Sequence, residues 1–212
     1  MKLIDLSHTI HAKMPVFPGA QQPVFEQTNG LETDGFIETK ISLFSHTGTH
    51  IDAPGHILEE GITLDKYDIN CFLGNAIILN FSAKNNCNIE LNELKIYEDK
   101  IKDVDFIILR TGWDKYWESP NYFMGYPTLS EKAARWLTNF NLKGICVDAI
   151  SLDDINSSKF PIHHIFLENH MMIIENLTNL IAVNFEPFVF SCLPLKIKNI
   201  DGFPIRAVAF KM

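Results

Sequence analysis

His46-Thr47-Gly48-Thr49-His50-Ile51-Asp52-Ala53-Pro54-Gly55-His56 decides how this chain of 212 residues is read. Four of its side chains can bind a metal or carry a proton: His46, His50, Asp52 and His56. All four, and Gly48, sit at even positions. The preceding run, Phe36 to Phe44, alternates in part, with Ile37, Ile41 and Leu43 apolar against Glu38, Lys40 and Ser42. A period of two predicts a strand. Continued through the motif, that strand turns His46, Gly48, His50 and Asp52 to one face. Gly48 would then leave a gap where a metal ion approaches the backbone. A helix would also pair His46 with His50, at i and i+4. It would send Asp52 elsewhere, and Thr47, Gly48 and Thr49 are mediocre helix formers. A strand is therefore expected, ended by Pro54-Gly55.

A bare HxxxH says little. Asp52 two residues on, the central glycine and His56 beyond a Pro-Gly turn make the pattern specific for a metal or catalytic site. Imidazole and carboxylate ligands suit zinc, with manganese or iron as alternatives. No cysteine joins the group, which disfavours a closed structural zinc site. Three ligands from one strand leave coordination positions for water and substrate. Further ligands are sought among His163, His164, His170 and Glu175. Glu175 closes an otherwise apolar strand, where an unpaired carboxylate is costly. His163 and His164 are adjacent and point in different directions, so one of the two is expected to reach a metal.

The rest of the chain bounds the fold. A hydrophobic share of 46% and a charged share of 21% describe an ordinary soluble globular protein with enough chain for a sizeable core. The net charge of −8, with no cluster of Lys and Arg, argues against a nucleic-acid partner. No apolar run has the length of a transmembrane helix, so no membrane association is expected. Asp5 interrupts what would be the apolar core of a signal peptide, which leaves the cytoplasm as the expected compartment. Cys71, Cys87, Cys146 and Cys192 are widely spaced and read as buried structural thiols.

In chain order, Lys2 to Ile10 reads as a first strand, with His8 a hydrogen-bonded polar residue at its end. Met14 to Gly19 is a rigid loop in which Phe17 either plugs the core or walls a pocket, the core being favoured. Val24 to Thr28 and Phe36 to Ser45 read as paired strands around an Asn29-Gly30 turn. Ile57 to Asn70 is loop-like. Asn75 to Phe81 and Val104 to Leu109 are buried strands, and Ile89 to Tyr97 is a candidate helix. The clearest helix runs from Leu129 to Leu137, with Ser130 as N-cap and Ala133, Ala134, Trp136 and Leu137 as its apolar stripe. Gly144 to Asp148 is a strand again, so strand, helix and strand form a βαβ unit. Met171 to Ile174, Leu180 to Phe185 and Ala207 to Phe210 complete the apolar strands. With no repeat, linker or low-complexity segment, one mixed α/β domain over residues 1–212 is expected.

The segment His46 to His56 resembles the signature of the cyclase family, metal-dependent hydrolases that include bacterial kynurenine formamidase and isatin hydrolase. Asp5-Leu6-Ser7-His8, Phe17-Pro18-Gly19, Arg110-Thr111-Gly112-Trp113, Gly144 to Asp148, Pro161-Ile162-His163 and Ile174 to Leu177 resemble further family segments, in order. The resemblance implies the family's swivelling β/β/α fold and a homodimer or homotetramer. It also implies roles. His46 and His50 bind a first metal, Asp52 bridges two metals, His163 binds the second, Glu175 bridges or completes the first site, and His56 is the general acid/base. Phe17 falls in the family's substrate loop. Phe17 stands where kynurenine formamidase carries Trp, Ala20 where Asp is frequent, and Ile57 where Phe is common. These departures spare the metal set and bear on the substrate.

The chemistry that follows is amide hydrolysis. One or two zinc ions, or manganese, would bring the pKa of a bound water to about 7 and give a hydroxide nucleophile. His56, with an ordinary pKa near 6.5, would take the proton and return it to the leaving nitrogen. An aryl formamide such as N-formylkynurenine is the expected small-molecule substrate. Another small amide or lactam of the isatin kind, or metal-assisted cyclisation or dehydration, is the alternative.

Overall fold

The computed structural model describes residues 2–85, 87–184 and 187–211. In chain order the strands are β1 (Lys2–Asp5), β2 (Val24–Asn29), β3 (Glu38–Ser42), β4 (His50–Asp52), β5 (Leu73–Asn80), β6 (Asn88–Ile89), β7 (Phe106–Arg110), β8 (Thr128–Leu129), β9 (Gly144–Val147), β10 (Met172–Glu175), β11 (Phe188–Ser191), β12 (Gly202–Pro204) and β13 (Val208–Lys211). The helices are α1 (Leu31–Asp34), α2 (Leu91–Lys95), α3 (Glu98–Ile101), α4 (Glu131–Leu137) and α5 (Pro161–Glu168). Nine strands form one mixed sheet, ordered β1-β13-β11-β5-β7-β9-β10-β4-β12. The α/β expectation holds.

The centre of the sheet is parallel. β5, β7, β9 and β10 pair in sequence order, with α2 and α3, then α4, then α5 on the crossovers. Such strands are covered on both faces and read as unbroken apolar runs. In β7, Ile107 and Leu109 face a cluster with Leu94, Ala134 and Phe166 from the helices. Phe106 and Ile108 face the opposite cluster, with Leu6, Ile51 and Phe190. Ser130 caps α4, its hydroxyl accepting from the Ala133 N–H at 3.4 Å. Two of the segments singled out in the sequence meet here. The buried Asp148 carboxylate accepts from the N–H groups of Thr111 and Gly112 and from the Thr111 hydroxyl, tying the end of β7 to the end of β9.

β4 joins the edge of the parallel set in antiparallel sense. His50 lies opposite Glu175 of β10 and Pro204 of β12, and Asp52 lies opposite Ile173 and Gly202. It brings the motif to the carboxyl ends of the parallel strands, where ligands of open α/β sheets bind.

Several expectations are corrected. No strand runs through the motif: β3 ends at Ser42, and β4 begins only at His50. β3 pairs with β2 in a separate two-stranded arm whose residues are almost all exposed, so its alternation marks no core face. The predicted turn at Asn29-Gly30 contains helix α1. Gly48 is required by its φ of +66° and by close packing, since a Cβ there would meet Ile10 and Met14 at 3.3 Å; it leaves no gap for a metal. β1 stops at Asp5, and only a single bridge, Ser7 to Leu177, follows it. Ile89 belongs to β6 and the helix after it begins at Leu91. Leu180–Ala182 is a 3-10 turn where a strand was expected, and Phe185 lies outside the described residues. Cys146 and Cys192 are buried, but Cys71 is only partly covered and Cys87 is exposed. Among the described residues no helix is long and apolar enough to cross a membrane.

Candidate metal centre and its pocket

Side chains from five places in the chain converge under one cavity of about 450 Å³. β4 supplies His50 and Asp52, the bend before it His46, and the 3-10 turn Pro54–His56 supplies His56. Glu175 ends β10, and His163 stands in the first turn of α5, behind Pro161. The walls are Phe17, Ala20, Phe44, Ile57, Ile150 and Phe160. Phe17 therefore both packs on the core and faces the cavity.

Asp52 is the centre of the cluster. Its side chain is fully buried, with Oδ1 2.6 Å from His46 Nδ1 and 3.3 Å from His50 Nε2. Its Oδ2 lies 3.8 Å from His163 Nε2 and accepts no hydrogen bond. Glu175 faces the same space, with Oε2 3.6 Å from His50 Nε2 and Oε1 3.4 Å from His163 Nε2. Two trios of donor atoms, His46-His50-Asp52 and Asp52-His163-Glu175, each lie within 4.8 Å of one another and share Asp52. A buried, unpartnered carboxylate oxygen is expensive. A cation between the trios is the partner it lacks, so the residues present fit a metal.

The imidazoles are oriented from behind. His50 Nδ1 donates to the Gly48 carbonyl at 2.8 Å, and His163 Nδ1 donates to Asp153 Oδ2 at 2.7 Å. Both Nε2 atoms are left facing the carboxylates, an arrangement typical of metal-ligating histidines. Burial alone would lower the pKa of His163, but Asp153 and Glu175 outweigh it and raise the metal-free value to about 10. His46 behaves alike: burial opposes the shift, yet Asp52 and Asp201 hold it up at about 10. Burial would raise the Asp52 carboxyl, but His50 and His46 keep it well below the usual range. His56 differs. Burial is its largest influence and moves its pKa below the ordinary value, so it stands neutral beside its charged neighbours.

The structure thus brings together His46, His50, Asp52, His56, His163 and Glu175. It separates His164, which is 43% exposed and pairs with Glu168 across one turn of α5, and His170, which is exposed beyond the helix. His8 is no satisfied strand terminus. Its ring stacks on Trp117 with centroids 3.8 Å apart, its Nε2 is buried without a partner, and burial lowers its pKa to about 4. Two acidic residues escaped the sequence reading. Asp201 accepts from His46 Nε2 at 2.7 Å and lies 3.4 Å from His56 Nδ1. Asp153 anchors His163. The signal for Asp201 was the following glycine: a Cβ on Gly202 would sit 2.5 Å from His46 Cε1. Asp153 left no local mark, because its partners Ile162 and His163 lie nine and ten residues on.

Comparison with known proteins now gives the class. The chain belongs to the cyclase family: residues 4–154 match the family model Cyclase, described as "Putative cyclase". A kynurenine formamidase of Geobacillus thermodenitrificans is 31% identical, over 99% of this chain and 97% of its own. Isatin hydrolase A of Labrenzia aggregata, solved with benzyl benzoate, superposes with a TM-score of 0.87 at 23% identity, over 98% of this chain and 93% of that one. A solved protein described as a "potential metal-dependent hydrolase with cyclase activity" gives a TM-score of 0.81 at 25% identity, over 98% and 96%.

Proposed function

We propose that this protein is a metal-dependent hydrolase of small aryl amides, with an aryl formamide such as N-formylkynurenine as first candidate. One observation carries the reading: two donor trios share the buried, half-satisfied Asp52 at the floor of an aromatic-walled cavity. The full-length likeness to a kynurenine formamidase supports the same chemistry.

His46, His50 and Asp52 would hold one metal ion, and Asp52, His163 and Glu175 a second, Glu175 grouping with His163 where the resemblance put it at the first site. Zinc or manganese bound there supplies Lewis acidity and lowers the pKa of a water. His56 is the proton carrier. Its Nδ1 faces Asp201, which orients the ring, and its lowered pKa leaves the other nitrogen free to accept at neutral pH. As the water oxygen bonds to the carbonyl carbon, its proton passes to His56. As the C–N bond breaks, His56 returns that proton to the departing nitrogen. Phe17, Phe44 and Phe160 hold an aromatic ring and keep bulk water out.

A second reading has its own support. Among the described lining residues none is Lys or Arg, which suits a neutral lactam of the isatin kind better than a substrate bearing a carboxylate. Assay of N-formylkynurenine, a plain aryl formamide and isatin, with zinc and with manganese, separates them. Turnover of either formamide without isatin upholds the first reading; isatin alone upholds the second; no turnover of any refutes both.

A homodimer is part of the proposal. An isolated two-stranded arm is marginal in water, and this one exposes Phe25, Phe36, Ile37 and Ile41. A second copy covering it explains that composition. The four cysteines are free thiols, in keeping with a reducing cytoplasm.

A further inference from the structure

The carbonyl of Gly48 serves two donors at once. It accepts His50 Nδ1–H at 2.8 Å and Asn176 Nδ2–H at 2.9 Å. Asn176 is buried at 2% exposure, and its φ of +58° is a conformation Asn tolerates better than most residues. Its own backbone is pinned, the carbonyl accepting from Thr49 Oγ1 at 2.6 Å and the N–H donating to Ala149 O at 3.0 Å. The residue therefore fastens the bend of the motif to the end of β10.

The two ends of an amide have nearly the same shape, and only their partners decide which way it faces. Here the deciding partner is Tyr122. Its hydroxyl donates to Asn176 Oδ1 at 2.6 Å, which leaves Nδ2 for the Gly48 carbonyl. The Tyr122 ring is fully buried and stands edge-on to Trp117, and Trp113 Nε1 donates to its carbonyl at 3.0 Å. Tyr122 does not line the cavity.

We propose that Tyr122 and Asn176 are positioning residues for His50, acting through the Gly48 carbonyl. They hold that carbonyl so that His50 keeps its proton on Nδ1 and presents Nε2 to Asp52 and Glu175. The proposal rests on the reading of His50 as a metal ligand. Without the Tyr122 hydroxyl the amide loses the partner that fixes its sense. Turned over, it places Oδ1 against the His50 ring, competes with Gly48 O for the Nδ1 proton and tilts the imidazole.

The test is zinc binding by the full chain, stripped of metal and titrated against a chromophoric chelator, so activity is not involved. Tyr122→Phe keeps the ring and is expected to weaken zinc about 10-fold, the lower end of the range for partners that orient metal ligands. Asn176→Asp puts an oxygen opposite the Gly48 carbonyl and is expected to weaken it further. Imidazole nitrogen NMR of the zinc-loaded protein should show one His50 tautomer in the wild type and a mixture in Tyr122→Phe. Ile89→Val, a core change outside this chain of bonds, is expected to lower the unfolding midpoint and leave affinity alone. Wild-type affinity in Tyr122→Phe, or an equal loss in Ile89→Val, overturns the proposal. Wild-type affinity in His50→Ala would instead remove the ligand role on which it rests.

Discussion

Asp153→Asn tests whether the support behind His163 matters as much as the ligand itself. Two oxygens serve three donors: Oδ1 takes the Ile162 N–H at 2.9 Å, and Oδ2 takes the His163 N–H at 3.0 Å and its Nδ1–H at 2.7 Å. An asparagine has one acceptor oxygen. Turned one way, its NH2 meets both His163 donors; turned the other, it meets the Ile162 N–H. Either way at least one buried donor is orphaned, which costs about 1–3 kcal/mol. In the first orientation His163 can escape by moving its proton to Nε2, where it blocks a metal. Zinc affinity is therefore expected to fall between about 10- and 100-fold. Urea unfolding of the metal-free protein reads the first quantity and chelator competition the second. The pH dependence carries a sign. The folded pKa of His163 is raised to about 10, so its contribution to stability is full below about 6.5 and is lost as pH rises through 10. The gap between wild type and variant should narrow over that window. His164→Ala, at an exposed position on the same helix, is the control and should change stability by no more than about 0.5 kcal/mol. Unchanged zinc affinity in Asp153→Asn would refute the reasoning.

Two further outcomes are expected. His56→Ala keeps its metal content by elemental analysis but loses at least about 100-fold in hydrolysis, the scale of acid/base catalysis; normal turnover would remove its role. His8→Phe keeps the stack on Trp117 and removes a group that the folded protein resists protonating. The unfolded chain binds a proton there below 6.5 and the folded one only near 4, so wild-type stability falls as pH drops through that interval. The variant should gain up to about 2 kcal/mol on the wild type at pH 5 relative to pH 7.5, read by urea unfolding.

The sequence was most legible where local chemistry repeats a simple rule. The apolar runs of β5, β7 and β9 and the Ser130 cap announce the parallel core, because such strands are covered on both faces whatever lies beyond them. The motif announces its metal-capable side chains for a different reason from the one its spacing offered. The even-numbered positions predicted a straight strand, but a left-handed bend at Gly48 brings His46 over Asp52. The exposure of the arm was not legible, because alternation predicts a strand and carries no information about which face, if either, is covered. Asp201 was missed because the histidines it meets, His46 and His56, lie about 150 residues earlier in the chain, and Asp153 because a lone Asp nine and ten residues before its partners forms no motif. The tyrosine behind Asn176 lies 54 residues from it and is silent in any window of sequence.

The register of β4 has a consequence for how this site can fail. Three consecutive residues place His50 and Asp52 on the pocket side and Ile51, fully buried, in the core. A slip of one position against β10 would turn Ile51 toward the pocket and drive both polar neighbours into the apolar cluster around Leu6 and Phe190. Misalignment is thus penalised by the core before it can be felt by the chemistry. Sliding the strand is therefore closed to this scaffold as a route to altered site geometry, which leaves changes in the cluster's own side chains or in the groups that orient them.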